Sequence, residues 1–237
     1  MSKLEVKKPF FIFNPKSNLY GEELLEFVDV AEALANERNV TVFITAPYAD
    51  ISEVSKRAKH VIVSAQNMDG LEPGAGMGKV LPESLYAAGA RATFLNHAEN
   101  PMTLANLAKA VNRADELGII TIVCADSLQE ARAIAMLNPD IILCEPTELI
   151  GTGQTSDEEY IKETNQAIKE MNENILVMQA AGISTADDVY RTISLGADGT
   201  GCTSGIVKAE DPKQMLIDMV EAAEKAVNIE EGDYGRK

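Results

Sequence analysis

Cysteine, histidine and basic charge are all scarce in this 237-residue chain, and each scarcity excludes something. The three cysteines, Cys124, Cys144 and Cys202, are odd in number, lack CxxC spacing and all fall in apolar, strand-like runs. Buried thiols explain them at least as well as any redox role, so they read as small core residues. Long apolar runs are also missing. None approaches the roughly 20 residues of a membrane span, and the charged start MSKLEVKK has no apolar signal core behind it. The expected compartment is the cytoplasm, with no membrane partner. The 21 Lys and Arg are outnumbered by 37 Asp and Glu, a net charge of −16 that argues against a nucleic-acid surface. An anionic small molecule stays admissible, because exposed charge beyond about 10 Å is largely screened by salt. There is no linker, low-complexity tract or charge block to divide the chain, and 46% hydrophobic with 24% charged residues is the balance of a globular protein with an ample core.

What is present is alternation. Strand-like runs are FFIFN from Phe10, VTVFIT from Val40, VIVSAQ from Val61, ATFLN from Ala92, IITIVCA from Ile119, IILCE from Ile141, ILVMQA from Ile175 and the glycine-interrupted DGTGCTS from Asp198. Helical spacing lies between them: Leu24, Phe27, Val28, Ala31, Leu34 and Ala35 recur at three and four residues, as do Leu104, Leu107, Ala108 and Val111. Such spacing lays one apolar stripe against a sheet. A last helix is predicted from about Pro212 to Val227, with Asp211 before it and proline in its first turn. Strand and helix repeat about eight times at roughly 30 residues each. The pattern predicts an α/β fold, a single-domain (β/α)8 barrel over residues 1–237 with terminal tails at 1–8 and 228–237; an open doubly wound sheet is the alternative.

In either architecture the chemistry sits where strands end. Those ends supply Asn14 and Lys16, Gln66 and Asn67, Asn96 and His97, Glu145, Ala180 to Gly182, and Thr203 with Ser204. A carboxylate, an imidazole, an ammonium and several loops of backbone donors would share one face, enough for acid–base chemistry. Taken singly, each has a blander reading: a helix-start charge for Glu145, a helix-start imidazole for His97, a solvated surface lysine for Lys16. His60, the only other histidine, precedes a strand and takes no role. The run GAGMG at Gly74 to Gly78 lacks GxGxxG spacing and a following P-loop lysine, and reads as a turn-rich loop.

The segments FNPK, LNHAEN, CEPTELIGTG, AAGIST and TSGIVKAEDP, in this order and at this spacing, resemble the triosephosphate isomerase family, in its short archaeal form, from Phe10 to about Val227. The resemblance implies a TIM barrel and a cofactor-independent aldose–ketose isomerase, which needs no metal or nucleotide. Its substrate would be a small phosphorylated sugar, dihydroxyacetone phosphate exchanging with glyceraldehyde 3-phosphate through an enediolate, a step of glycolysis and gluconeogenesis. Glu145 would be the catalytic base, with Pro146 to Gly151 the lid that keeps water from the intermediate. His97 would polarise the carbonyl as a neutral imidazole, its charged form disfavoured by a helix starting just beyond it. Lys16 would stabilise the developing oxyanion, and Asn14 would position Lys16. Gly151, Gly182, Thr203 and Ser204 would hold the phosphate on backbone N–H groups, the last two at the start of a short helical turn. The loop holding GAGMG would reach into a neighbouring subunit, which implies a homodimer or homotetramer.

Four residues depart from the family pattern. Pro15 replaces a bulky apolar residue and restricts Asn14 to an extended conformation; Met77 stands near a common threonine, and Ala180 replaces a glycine. Gly201 falls where the family has a leucine or similar side chain against the catalytic carboxylate. Its loss would hydrate Glu145 and leave room for more substrate atoms. These departures raise two alternatives: an isomerase of a larger ketose phosphate such as a tetrulose phosphate, and a non-catalytic phosphate-binding barrel.

Overall fold

The computed structural model describes residues 2–149, 152 and 155–233. All eight apolar runs form parallel strands: β1 Phe10–Phe13, β2 Thr41–Ala46, β3 Ile62–Ala65, β4 Ala92–Leu95, β5 Ile120–Ala125, β6 Ile141–Cys144, β7 Leu176–Gln179 and β8 Gly199–Cys202. They pair in sequence order, and β8 pairs back with β1 (Phe10 opposite Gly199, Ile12 opposite Gly201), so the sheet closes into a barrel. Closure removes the free edges that an open sheet would leave, and it settles the choice against the doubly wound alternative.

Alternation along each strand divides the apolar residues between two cores. Phe10, Ile12, Phe43, Phe94, Ile122, Leu143 and Met178 point into the barrel, where Phe10 and Phe43 meet edge to face at 6.0 Å. Their neighbours Phe11, Phe13, Ile44, Val123, Ile142 and Val177 point outward and are covered by helices. The covering helices are α1 Gly21–Glu37, α2 Ile51–Arg57, α3 Pro82–Ala88, α4 Leu104–Leu117, α5 Leu128–Ala135, α6 Glu158–Met171, α7 Ala186–Ser194 and α9 Pro212–Asp233. The predicted stripes on α1 and α4 are buried through Leu24, Phe27, Val28 and Ala31 and through Leu107 and Val111. A short α8, Ser204–Val207, follows β8 directly. Helix α9 begins as expected, with the Gln214 amide donating to Asp211 Oδ1 at 3.0 Å, and continues past Val227 to Asp233.

The glycines of β8 are structural necessities rather than weaknesses. A Cβ on Gly199 would lie 2.4 Å from the Phe10 ring, so the bare backbone is what lets that ring fill the barrel floor. At the opposite end from the strand C-termini, buried Asp198 accepts from the Val177 amide at 2.8 Å and pairs with Lys8 and Lys169. The first residues are held there too: Lys3 bridges Asp115 and Asp140, at 2.5 and 2.6 Å. Among the described residues no helix is long and apolar enough to cross a membrane.

Candidate active site

Every predicted site residue within the described chain lines one cleft of about 110 Å³ at the C-terminal mouth of the barrel: Asn14, Lys16, His97, Glu145, Gly182, Thr203 and Ser204. Gly151 lies outside the described residues. The mouth is where a (β/α)8 barrel gathers the ends of separate strands, which is why residues distant in sequence meet there.

Glu145 continues the inward phase of Ile141 and Leu143, and its amide still donates to Ala125 of β5 at 2.9 Å. Its carboxyl is therefore held over the apolar interior. Burial raises its pKa above the ordinary carboxylate value, with Lys16 opposing and Glu99 adding to the rise. The 3-10 turn Thr147–Leu149 follows at once, closed by the Leu149 amide on Pro146 O at 2.9 Å.

Lys16 sits in a left-handed backbone conformation, φ +52°, which is strained for a residue with a side chain. Two neighbours hold it there: its amide donates to Asn14 Oδ1 at 3.0 Å, and its carbonyl accepts from Gln66 Nε2 at 2.9 Å. Asn14 thus braces the Lys16 turn, and Pro15 leaves that bond intact. The Lys16 ammonium reaches Glu99 Oε1 at 2.6 Å.

Asn96 also takes a left-handed turn, φ +57°, which asparagine tolerates better than most residues. Its side chain donates to Cys124 O at 3.0 Å and accepts from the Met102 amide at 2.9 Å, locking the bend that turns His97 into the mouth. The expected helix beyond His97 is absent at that point. Instead a turn closes with the Asn100 amide on His97 O at 2.8 Å, and α4 starts only at Leu104, because Pro101 and the Thr103 cap delay it. The turn still serves the imidazole. The Glu99 amide donates to His97 Nδ1 at 3.1 Å, so the neutral ring carries its proton on Nε2. Burial, then the nearby Lys16 charge, lowers the His97 pKa below its ordinary value.

On the far rim, Gly182 (φ +67°) and the N-terminus of α8 face each other. Gly205 has no room for a Cβ, which would lie 2.6 Å from Ser184 Cα, and this close approach brings the loop after β7 against Thr203 and Ser204. Backbone N–H groups at such a junction favour an anion without a basic side chain.

Gly201 contradicts the sequence expectation. A side chain there would lie 2.4 Å from Ile12 O and 2.6 Å from Met178 Cε, so the position is occupied rather than open. Burial still raises the Glu145 pKa with no leucine at 201. Met77 is fully exposed at the tip of the loop after β3, and His60 is spent on Glu32, Nδ1 to Oε1 2.6 Å. The three cysteines are buried and free. Gln66 and Asn96 were read as strand-end residues without an assigned role, and Glu99 was missed. Glu99 lies within LNHAEN, but its partner Lys16 is 83 positions away, which no local pattern shows. Among the described residues no group of three or more His, Cys, Asp or Glu is arranged to hold a metal ion.

A closed barrel with a desolvated carboxylate, a neutral imidazole and a lysine converging at its mouth is an acid–base enzyme of the (β/α)8 class. A profile of the triosephosphate isomerase family matches residues 9–223. The chain belongs to that family. It is 37% identical to the triosephosphate isomerase of Methanobacterium bryantii, an alignment covering 91% of this chain and 98% of the relative. It is 36% identical to that of Sulfurisphaera tokodaii, over 94% and 99%, and 38% identical to that of Methanopyrus kandleri, over 90% and 96%.

Proposed function

We propose that this chain interconverts dihydroxyacetone phosphate and glyceraldehyde 3-phosphate by moving protons within one cleft. Glu145 takes a proton from the carbon beside the carbonyl, leaving an enediolate, and returns it to the adjacent carbon. His97, neutral with Nε2–H available, polarises the carbonyl and shuttles a proton between the two substrate oxygens. The Lys16 ammonium stabilises the oxyanion, and Asn14, Gln66 and Glu99 keep it in place. Gly182, Thr203 and Ser204 hold the phosphate, with Gly151 assigned the same task. The reading gives no part to a metal or nucleotide.

The observation that carries this reading is the His97–Glu99 hydrogen bond beside a desolvated Glu145, because it prepares an imidazole donor and a carboxylate base in the same cleft. The larger-sugar alternative loses its main support, since the space at Gly201 is filled. A coupled assay on glyceraldehyde 3-phosphate, run beside a four-carbon ketose phosphate, tests the function. A kcat/KM above about 10⁶ M⁻¹ s⁻¹ on the triose is expected; faster turnover of the four-carbon sugar refutes the substrate.

The same reading includes a homodimer or homotetramer in the cytoplasm. Its support is the exposed Met77 loop together with a second cavity of about 190 Å³ beside the cleft, walled by Tyr48, Gln66 and Asn67, into which a partner's loop would fit. Asn67 Oδ1 is buried there with no partner among the described residues. Sedimentation at micromolar concentration showing only monomer would overturn the assembly.

A further inference from the structure

The inward face of β8 is bare: both of its inward positions, 199 and 201, are glycine. Below, the Phe10 ring occupies the space over Gly199. Above, the space over Gly201 is taken by a side chain from another strand, since Met178 Cε lies 2.6 Å from where a Cβ on residue 201 would be. Met178 pairs with Leu143 on one side and Gly199 on the other, so its thioether crosses from β7 to β8 at the level just beneath Glu145. It is 2% exposed, and it lines the cleft with Ile12, Phe94 and Leu143. Of these four it alone is unbranched and without a ring, with three rotatable side-chain bonds.

We propose that Met178 is the positioning and specificity-determining residue beneath the base, and that the reach of its thioether, rather than a side chain on β8, sets the depth of the cleft and the dryness of the Glu145 carboxyl. The inference rests on the assignment of Glu145 as the base. A seat made of glycine backbone stops the thioether methyl at one height, with Phe10 blocking any downward fold. Shortening residue 178 then deepens the cleft by the space of one or two heavy atoms, and water or a longer sugar enters directly under the carboxylate. The charged and titratable groups around Glu145 stay in place: Lys16 and Glu99, which act on it, Cys124 and Cys202, which its charge reaches, and His97, Asp126 and Glu130, which line the same cavities. A change in the titration of the base can therefore be ascribed to the wall.

The test compares Met178→Ala and Met178→Leu with the parent for kcat, KM, the pH profile of kcat/KM, and the ratio of triose to four-carbon ketose phosphate turnover. Leucine keeps the volume but ends one bond short of the Gly201 seat, so it tests reach without an empty cavity. Triose kcat should fall about 10-fold or more with KM within about threefold, and the triose-to-tetrulose ratio should drop by roughly 10-fold, the effect of a missing methylene in an apolar pocket. Because burial is what raises the base, the acid limb of kcat/KM should move to lower pH. An unchanged acid limb with an unchanged substrate ratio in folded Met178→Leu overturns the proposal, and the leucine variant decides alone if the alanine variant does not fold. Glu145→Gln separates the two assignments: retained isomerisation there sinks the base itself, whereas an inactive Glu145→Gln beside an indifferent Met178→Leu sinks only the wall.

Discussion

Shortening the base by one methylene, Glu145→Asp, puts the proposed mechanism under the most direct strain. The β6 backbone at residue 145 is fixed by the bond to Ala125 O, and the barrel beneath is filled by Leu143 and Met178, so the strand cannot rise to compensate. The carboxylate therefore withdraws by about 1 Å or slightly more from any substrate carbon. A displacement of that size costs roughly 100-fold in rate, equivalent to about 2.7 kcal/mol of lost transition-state stabilisation. The groups assigned to the phosphate belong to other loops, those after β7 and β8, so ground-state binding should barely change. The assay is steady-state isomerisation of glyceraldehyde 3-phosphate with a parallel titration of inorganic phosphate as inhibitor. A fall in kcat of about 100-fold with an inhibition constant within about twofold is expected. A loss below tenfold, or an equal loss of phosphate affinity, refutes the assignment of Glu145 as a base acting only on the reacting carbon.

Nitrogen-15 NMR of His97 should show a neutral ring protonated on Nε2 that stays neutral as pH falls through 6.5, since burial and Lys16 depress its pKa; an imidazolium at pH 7 would contradict this. With the Glu145 pKa raised, the acid limb of kcat/KM should lie above the ordinary carboxylate value of 4.5, activity being lost as pH drops and the base protonates; a limb at or below that value would rule out a dry carboxylate. Glu99→Gln should leave stability within about 1 kcal/mol, because Glu99 is 65% exposed, yet lower kcat/KM about tenfold by releasing the Lys16 ammonium; full activity would remove Glu99 from the site. Asp198→Ala leaves the buried Val177 amide without its acceptor and Lys169 with only the carbonyls of Ile175 and Glu173, and should cost about 2 kcal/mol or roughly 6 °C in Tm. An unchanged melting curve would show that the pair contributes nothing net.

The barrel was legible because its strands are buried on both faces. Runs such as IITIVCA and IILCE are apolar throughout and cannot be mistaken for half-exposed strands, and the stripes of α1 and α4 repeat at helical spacing. The eighth strand was obscured because DGTGC loses its side chains to the demands of Phe10 and Met178, which belong to other strands. For the same reason Gly201 was misread: a missing side chain in sequence looks like empty space, and only the tertiary structure shows what fills it. Site residues that end strands, Gln66 and Asn96 among them, could be found one by one, whereas their bonds to Lys16 and Met102, and the whole part of Glu99, run through turns and long-range contacts that no spacing encodes. The helix expected after His97 failed at Pro101, where a turn supplies the same amide donor nearer to the ring.

The buried thiols have a practical consequence for watching this molecule at work. Cys144 and Cys202 are pushed up by burial to about 12 and about 11, and Cys124 is also raised, so at neutral pH all three are protonated, shielded and slow toward alkylating reagents. A single cysteine introduced at the surface would then be labelled selectively without first deleting the native ones. Met77→Cys, at a side chain wholly open to solvent in this chain alone, would accept a dye whose quenching on self-association reads out directly whether that loop finds a second subunit.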